Sequence, residues 1–241
     1  MNLLLHCGAQ VVPFNHLQAL PTPIGTQTHH PIGHSFFGQM VVDELKKSNY
    51  EIVSQAHALT KDEQRYFGLL EIKHTAVDYG LVVGLRNSHD KSFGSGICIG
   101  SQVFVCDNLC FSGEIETARK HTTHILRDLP ELVEGLVLEM EIEVIKQDER
   151  VEAYKGTIID HETGDGVLTD LVRKKILPGS KFARAVDEWD EPSHEEFEHN
   201  SIWALFNSVT EVCKGSVFTL PRRSKALHRA CDELAGLRLA A

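Results

Sequence analysis

The sequence of 241 residues lacks the features that would place it in a membrane or direct it out of the cell. All of its apolar runs are shorter than the roughly 18–20 residues that a membrane-spanning helix needs. Residues 1–5 include no basic side chain, and their apolar run stops at His6, so we expect no secretion signal. The sequence therefore predicts a cytoplasmic protein with no membrane partner.

Positive charge and closely spaced cysteines are also scarce. The 24 Lys and Arg residues are outnumbered by 34 Asp and Glu residues, which gives a formal net charge of −10. A uniformly basic surface for nucleic acid is therefore excluded, and any such contact needs a local patch. Among six cysteines the only close pair is Cys106 and Cys110, one residue wider than the usual CxxC spacing, so we expect reduced thiols there.

No strong catalytic signature is present: the sequence contains no phosphate-binding loop, no HExxH and no nucleophile elbow. Its 14 histidines include three groups that could suggest a metal site. These groups are His29, His30 and His34; His121 and His124; and His161 with Asp160 and Asp165. None offers three ligands at a recognised spacing, so we interpret them as solvated or core histidines. We predict no catalytic residue, no metal ligand and no cofactor.

The first two-fifths of the chain predict a helix followed by a series of strands. Apolar residues recur at intervals of three and four after Ser35, which can cap the helix, and Asn49 marks its end. Five short apolar runs with brief connections follow, at residues 51–59, 66–75, 81–86, 93–100 and 102–106. We predict an α+β fold in which an antiparallel meander of about five strands follows a helix, with long helices packed on one face.

Helical patterns dominate after Gly113, and the turn signals between them define their ends. Gly164 and Gly166 predict a loop, and Ser201 can cap an apolar helix. Helices are predicted over residues 114–129, from Pro130 to Val144, over 167–177 and from Ser201 onwards.

Composition divides the chain into four expected parts. Prolines at 13, 21, 23 and 31 predict an irregular N-terminal arm over residues 1–35. An α+β core domain follows over residues 36–186, and an acidic linker over residues 187–200. Seven of the thirteen residues 187–199 are acidic, so most of the excess negative charge is local. Residues 201–241 are expected to form a C-terminal helical segment with a basic tail.

Three short segments supply candidate contacts to a nucleic-acid backbone. The first is the turn between two predicted strands, with Arg86, Asn87, Ser88 and Lys91. The second is the end of a predicted helix and the segment after it, with Arg173, Lys174, Lys175 and Lys181. The third is the start of the basic tail, with Arg222 and Arg223. The alternative interpretations are a polar turn, a solvated helix end whose cations suit the helix dipole, and a solvated tail.

Residues 86–90 read Arg-Asn-Ser-His-Asp, and residues 104–108 read Phe-Val-Cys-Asp-Asn. These two segments resemble a family carried by phages and plasmids, called domain of unknown function 932. They are similar to the family's Asn-Ser-(aromatic or His)-Asp turn and to the apolar-Cys-x-Asn-Gly element that ends its next strand. The helix around Trp203 is similar to a later one in the family, and the resemblance covers roughly residues 35–215. Leu109 departs from the pattern, since glycine usually stands there.

The family resemblance implies a context rather than an activity: mobile genetic elements, the bacterial cytoplasm, and genes kept near replication or recombination functions. A second resemblance is topological. A helix, an antiparallel meander and then a long helix are similar to the core of phage single-strand annealing proteins of the Erf and Red-beta groups. That resemblance implies rings or helical assemblies that hold single-stranded DNA in a positively lined groove. We therefore predict a DNA-binding annealing protein that acts as a homo-oligomer and is not an enzyme.

Two alternative functions remain open at the level of sequence. One is a metal-dependent nuclease that uses His89, Asp90, Asp160 and His161, although these residues form no spaced carboxylate set. The other is an acidic module that counters a host defence system. In that case residues 187–199 would mimic the charge of nucleic acid, and the partner would be a basic host protein.

Overall fold

The computed structural model describes residues 9–73, 79–103, 108–193, 200–213 and 220–237. Six strands form one sheet in chain order, with antiparallel pairing along β1 to β4. The strands are β1 (Gln10–Val12), β2 (Ile52–Leu59), β3 (Arg65–Ile72), β4 (Tyr79–Ser88), β5 (Ser95–Val103) and β6 (Asn108–Arg119). The predicted α+β class and the meander are confirmed, with β1 as an additional short edge strand.

Seven α-helices and one single-turn 3-10 helix, Gly179–Lys181, lie in the described part of the chain. The α-helices are α1 (Phe14–Ala19), α2 (His34–Lys47), α3 (Ile125–Gly156), α4 (His161–Arg173), α5 (Phe182–Asp190), α6 (Ile202–Val212) and α7 (Leu220–Leu234). No helix among the described residues is both long enough and apolar enough to cross a membrane.

The chain divides into two compact units. The first comprises Met1–Thr75, Gly80–Gly100 and Ile115–Ile142. The second comprises Ala76–Tyr79, Ser101–Glu114 and Glu143–Ala241. The segment expected to be an irregular arm contains β1 and α1, and α5 extends through Asp190 into the segment expected to be a linker.

In the first unit, α2 buries one apolar face and packs against β2. Phe37, Val41 and Leu45 on this face have no exposed surface, as their spacing of four residues requires. The predicted cap is wrong, because Gly33 rather than Ser35 precedes the first helical residue. A Cβ at Gly33 would lie 2.8 Å from the Thr22 hydroxyl oxygen, so the close approach there favours glycine.

Two sequence predictions in the sheet of this chain are wrong. Residues 95–103 form one strand, β5, rather than two strands broken at Gly100. Gly94 marks a close backbone approach instead, since an added Cβ there would overlap the Arg119 carbonyl oxygen. Residues 114–119 belong to β6, not to a helix, because Glu114, Ile115 and Glu116 alternate with the period of a strand. The helix that follows begins at Ile125 and runs through Pro130.

The second unit has a helical core in which α4, α5 and α6 pack together. Ser201 caps α6 as predicted, since its hydroxyl accepts a hydrogen bond from the Ala204 backbone N–H at 3.0 Å. The predicted loop at Gly164 and Gly166 is wrong, because both lie inside α4. A Cβ at Gly164 would lie 2.5 Å from the indole of the buried Trp189, so glycine serves helix packing there.

A buried ion pair also stabilises the second unit. The Arg150 guanidinium, which is 1% exposed, donates from Nε and Nη2 to the two carboxylate oxygens of Asp232 at 2.8 and 3.0 Å. The Tyr154 hydroxyl donates to the same carboxylate at 2.6 Å. This bidentate geometry joins α3 to α7 and supplies the hydrogen bonds that a buried charge requires.

Candidate functional site

A buried polar cluster is the most unusual feature of the first unit. It contains His29, His34, Asn87, His89, Ser95 and His121, which we call the histidine cluster. His34 opens α2, Asn87 ends β4, Ser95 opens β5 and His121 follows β6. The fold thus brings two of the three histidine groups seen in the sequence together with the Asn-Ser-His-Asp turn.

The proton positions in this cluster follow from the Ile32 carbonyl oxygen, which can only accept hydrogen bonds. It lies 2.8 Å from Asn87 Nδ2 and 2.9 Å from His89 Nε2. The Asn87 atom that faces it must therefore be the amide nitrogen, which also donates to His34 Nδ1 at 2.9 Å. His34 is thereby fixed as the neutral tautomer with its proton on Nε2, which faces the Glu63 carbonyl oxygen at 3.3 Å.

The same reasoning extends to His121. The Asn87 Oδ1 atom accepts from the Ser95 hydroxyl at 2.8 Å, which uses the only hydroxyl proton of Ser95. The contact of 2.9 Å between Ser95 Oγ and His121 Nε2 therefore requires His121 to donate. Its Nδ1 atom then carries a lone pair. That atom is buried and has no hydrogen-bond partner among the described residues.

Ring stacking completes the cluster. The His34 and His89 rings lie 3.8 Å apart at 10°, and the His29 and His121 rings lie 5.4 Å apart at 21°. Burial, assisted by the neighbouring histidines, lowers the pKa of His34 to about 3 and the pKa of His121 to about 4. Both rings are therefore neutral at pH 7, which agrees with the hydrogen bonds assigned to them.

The rest of the turn divides into buried and solvent-facing groups. The side chains of Asn87 and Ser88 are fully buried, and the Ser88 hydroxyl donates to the Phe93 carbonyl oxygen at 2.6 Å. These two predicted phosphate contacts therefore build the turn. Arg86 is half-buried, with its guanidinium carbon 5.7 Å from the Phe93 ring centroid, and Lys91 is exposed.

The other predicted backbone contacts lie in the second unit. Arg173, Lys174 and Lys175 are exposed at the C-terminal end of α4, where the helix dipole favours cations. Arg173 and Lys174 lie 3.6 and 3.8 Å from the Asp170 carboxylate. Such exposed pairs are weak, so both side chains remain available to a stronger anion.

Two further cations, far apart in the sequence, come close together in the second unit. Lys181 Nζ donates to the Val212 carbonyl oxygen at the C-terminal end of α6. Lys181 and Arg223 both lie near the Cys213 thiol, whose pKa is raised by burial against the opposing effect of these two cations. Arg223 and Ile176 line one groove beside this point. The structure therefore brings two of the predicted basic segments together, while the side chain of Arg222 lies outside the described part.

The residues of the nuclease alternative have other partners. His89 and Asp90 lie in the first unit, where the Arg65 Nε atom donates to Asp90 at 2.7 Å. Asp160 and His161 lie in the second unit, where Asp160 caps α4 by accepting from the Thr163 backbone N–H at 2.8 Å. Within the described residues, no group of three or more His, Cys, Asp or Glu side chains could hold a metal ion.

Two features of the sequence lie partly outside the described residues: the cysteine pair, at Cys106, and the acidic segment, at residues 194–199.

Comparison of the chain with protein-family models, with curated proteins and with solved structures finds no match. The two resemblances noted in the sequence therefore stay predictions.

Proposed function

We propose that the protein is a phage- or plasmid-type DNA-binding protein of the bacterial cytoplasm. It binds single-stranded DNA as a homo-oligomer and acts in annealing during recombination or replication. The observation that supports this function best is the convergence of Lys181 and Arg223 at the C-terminal end of α6, where Ile176, the residue after Lys175, lines the same groove as Arg223. A local patch of this kind is what a protein with a net charge of −10 needs for binding a phosphate backbone.

The order of the elements supports the same function. Helix α2, the meander from β2 to β6 and the 32-residue helix α3 follow one another in the chain. This is the order that the topological resemblance to annealing proteins leads us to expect. Contacts to the backbone alone also suit annealing, since they leave the base edges available for pairing.

The test is the binding of a labelled single-stranded oligonucleotide over a salt series, measured by fluorescence anisotropy. Each phosphate contact on a single strand contributes about −0.7 to the slope of log K against log salt. Replacing Arg173, Lys174 and Lys175 together by Gln should weaken binding and flatten the slope by about 2, which corresponds to three lost contacts.

A matched variant controls for the loss of charge as such. Lys46, Lys61 and Lys73 are exposed lysines of the first unit that lie outside the predicted contacts, and their joint replacement by Gln removes the same three charges. We expect this variant to keep the slope of the native protein. The proposed function would be contradicted by the absence of binding at low salt, or by equal slopes for the two triple variants.

A further inference from the structure

The segment before α2 buries little apolar surface of its own. It comprises residues 21–33, which we call the strap and which are all described. Residues 21–28 are exposed, and Ile32 is the one fully buried residue of the strap. Pro21, Pro23 and Pro31 donate no backbone hydrogen bond. A segment of this kind can open locally while the sheet beside it stays folded.

The contacts that hold the strap closed come from the histidine cluster. The His30 backbone N–H donates to the His121 carbonyl oxygen at 2.9 Å. The Ile32 carbonyl oxygen accepts from Asn87 Nδ2 at 2.8 Å and from His89 Nε2 at 2.9 Å. The strap is thereby fixed against the end of β4 and the segment that follows β6.

This arrangement requires His34 to be neutral. His34 Nδ1 accepts from Asn87 Nδ2 at 2.9 Å, and the His34 and His89 rings stack with centroids 3.8 Å apart. A proton on His34 Nδ1 would set two donors against each other, so Asn87 would leave the position from which it donates to Ile32. Charging both stacked rings would add repulsion between like charges.

The buried ring of His121 imposes the same condition. Its Nε2 atom donates to Ser95, whereas its Nδ1 atom is buried and has no hydrogen-bond partner among the described residues. The stacked ring of His29, whose centroid lies 5.4 Å away, contains a second such atom, Nε2. A charge added to either ring would be buried without an acceptor, whereas opening the strap lets water solvate both rings.

The charged groups around the cluster mostly pair with one another. The pairs are Arg65 with Asp90, His16 with Glu63, and Arg119 with Asp128. Asp90 favours the protonated form of His89, but burial outweighs it and keeps the pKa of His89 below its usual value. Further titratable groups that contact the cluster or adjoin it in the chain bring no negative charge at pH 7: His30, His57, Tyr66, Arg86, Lys120 and His124.

We propose that the strap is an acid-released closure of the first unit, held against the sheet while the histidine cluster is neutral and released when the cluster takes up protons. Its release exposes the Asn-Ser-His-Asp turn to solvent. Both the strap and the cluster belong to the first unit, so this device does not depend on the cations of the second unit that carry the proposed function.

The direction of the pH dependence follows from burial. Burial lowers the pKa of His34 to about 3 and the pKa of His121 to about 4, and exposure in the open form returns both towards about 6.5. The open form therefore binds more protons below about pH 6.5. Each of these histidines raises the equilibrium constant for opening by up to about tenfold per pH unit.

The test is amide hydrogen exchange of the full-length protein between about pH 7 and pH 5, corrected for the intrinsic pH dependence of exchange. The protection of the His30 amide should fall by more than about tenfold per pH unit below about pH 6, because at least two histidines take up protons together. The amides of β3, a strand paired on both sides, should stay protected. Protection of His30 that does not change with pH, or that is lost together with that of β3, would overturn the proposal.

Two variants separate the titration of the cluster from a general effect of acid. His121→Gln and His89→Gln each remove one titrating ring, and in the latter the amide nitrogen can replace Nε2 as the donor to Ile32. Each variant should make the fall in protection shallower, by up to about tenfold per pH unit. His124→Gln is the control, since His124 is exposed, and it should keep the native profile. Native profiles in both cluster variants would also overturn the proposal.

Discussion

Asn87 is the residue on which the histidine cluster depends. Its side chain makes three hydrogen bonds, to Ile32, His34 and Ser95, and it has no exposed surface. Through these bonds one amide group sets the tautomers of His34 and His121. The Asn-Ser-His-Asp turn is thus a structural element that holds residues 29–34 against the ends of β4 and β5.

Replacing Asn87 by Ala should lower the free energy of unfolding by about 2–4 kcal/mol, since it leaves several buried polar groups without partners. Urea unfolding measures the difference. Asn15→Ala is the control, because Asn15 is an exposed residue of α1 and its loss should change stability by no more than about 0.5 kcal/mol. Equal effects of the two substitutions would contradict the role assigned to Asn87.

The neutral histidines also predict a dependence of stability on pH. The pKa of His34 and that of His121 are lower in the folded protein than the value of about 6.5 expected in the unfolded chain. The unfolded state therefore binds more protons below pH 6.5. Stability should be fully present above about pH 6.5 and should fall as the pH decreases towards about 4, by up to ~1.4 kcal/mol per pH unit for each histidine.

Urea midpoints measured across this window test the dependence. His34→Gln removes one of the strongly shifted groups, so its stability should fall less steeply between about pH 6 and pH 4.5 than that of the native protein. Most carboxylates titrate below this window and contribute little to the comparison. A slope that His34→Gln leaves unchanged would show that His34 is not held neutral in the folded state.

At the scale of single elements, α4 contains two glycines with opposite roles. Gly164 lies against Trp189, whereas an added Cβ at the exposed Gly166 would meet nothing within 4 Å. Gly164→Ala should therefore destabilise the protein by about 1–3 kcal/mol through overpacking. Gly166→Ala should stabilise it by up to about 1 kcal/mol, because alanine is the better helix former.

Thermal unfolding of the two variants gives a matched comparison within one helix. Their shifts in melting temperature should have opposite signs. Two shifts in the same direction would mean either that Trp189 does not pack against Gly164 or that residue 166 is not helical. The two variants also distinguish a glycine required by close packing from a glycine required by a loop. The sequence alone does not make this distinction.

These elements show what local sequence determines and what it does not. The apolar spacing of α2 and the serine cap of α6 depend on neighbouring residues, so both could be predicted. Gly164 resembles a loop residue because the reason for it, the Trp189 indole, lies 25 residues further along the chain. The prediction of one helix over residues 114–129 is wrong because this stretch contains both the end of β6, where the residues alternate as in a strand, and the start of α3.

The histidine cluster could not be predicted from the sequence, for a related reason. Its members come from five separate segments, so no spacing in the sequence reveals them. The position of histidines next to predicted strand and helix ends was the available signal, since antiparallel strands in a meander bring such ends together. The cations near Cys213 were predicted individually, whereas their convergence in the second unit required the tertiary structure.

For the molecule as a whole, the proposed binding to DNA depends more on where the charges are concentrated than on the net charge. The net charge of −10 coexists with two cations, Lys181 and Arg223, that lie near Cys213 in the second unit, and much of the acidic excess lies in residues 187–199. Local concentration of cations lets an acidic protein bind a phosphate backbone, and it makes that binding strongly dependent on salt. The proposed annealing function rests on this arrangement together with self-association.

The native mass of the protein, measured with and without a single-stranded oligonucleotide, tests the central claim most directly. A DNA-binding homo-oligomer should have a mass that is a multiple of the 26.9 kDa chain, and the oligonucleotide should change that mass by more than its own. A particle of one chain whose mass the oligonucleotide leaves unchanged would contradict both the assembly and the binding.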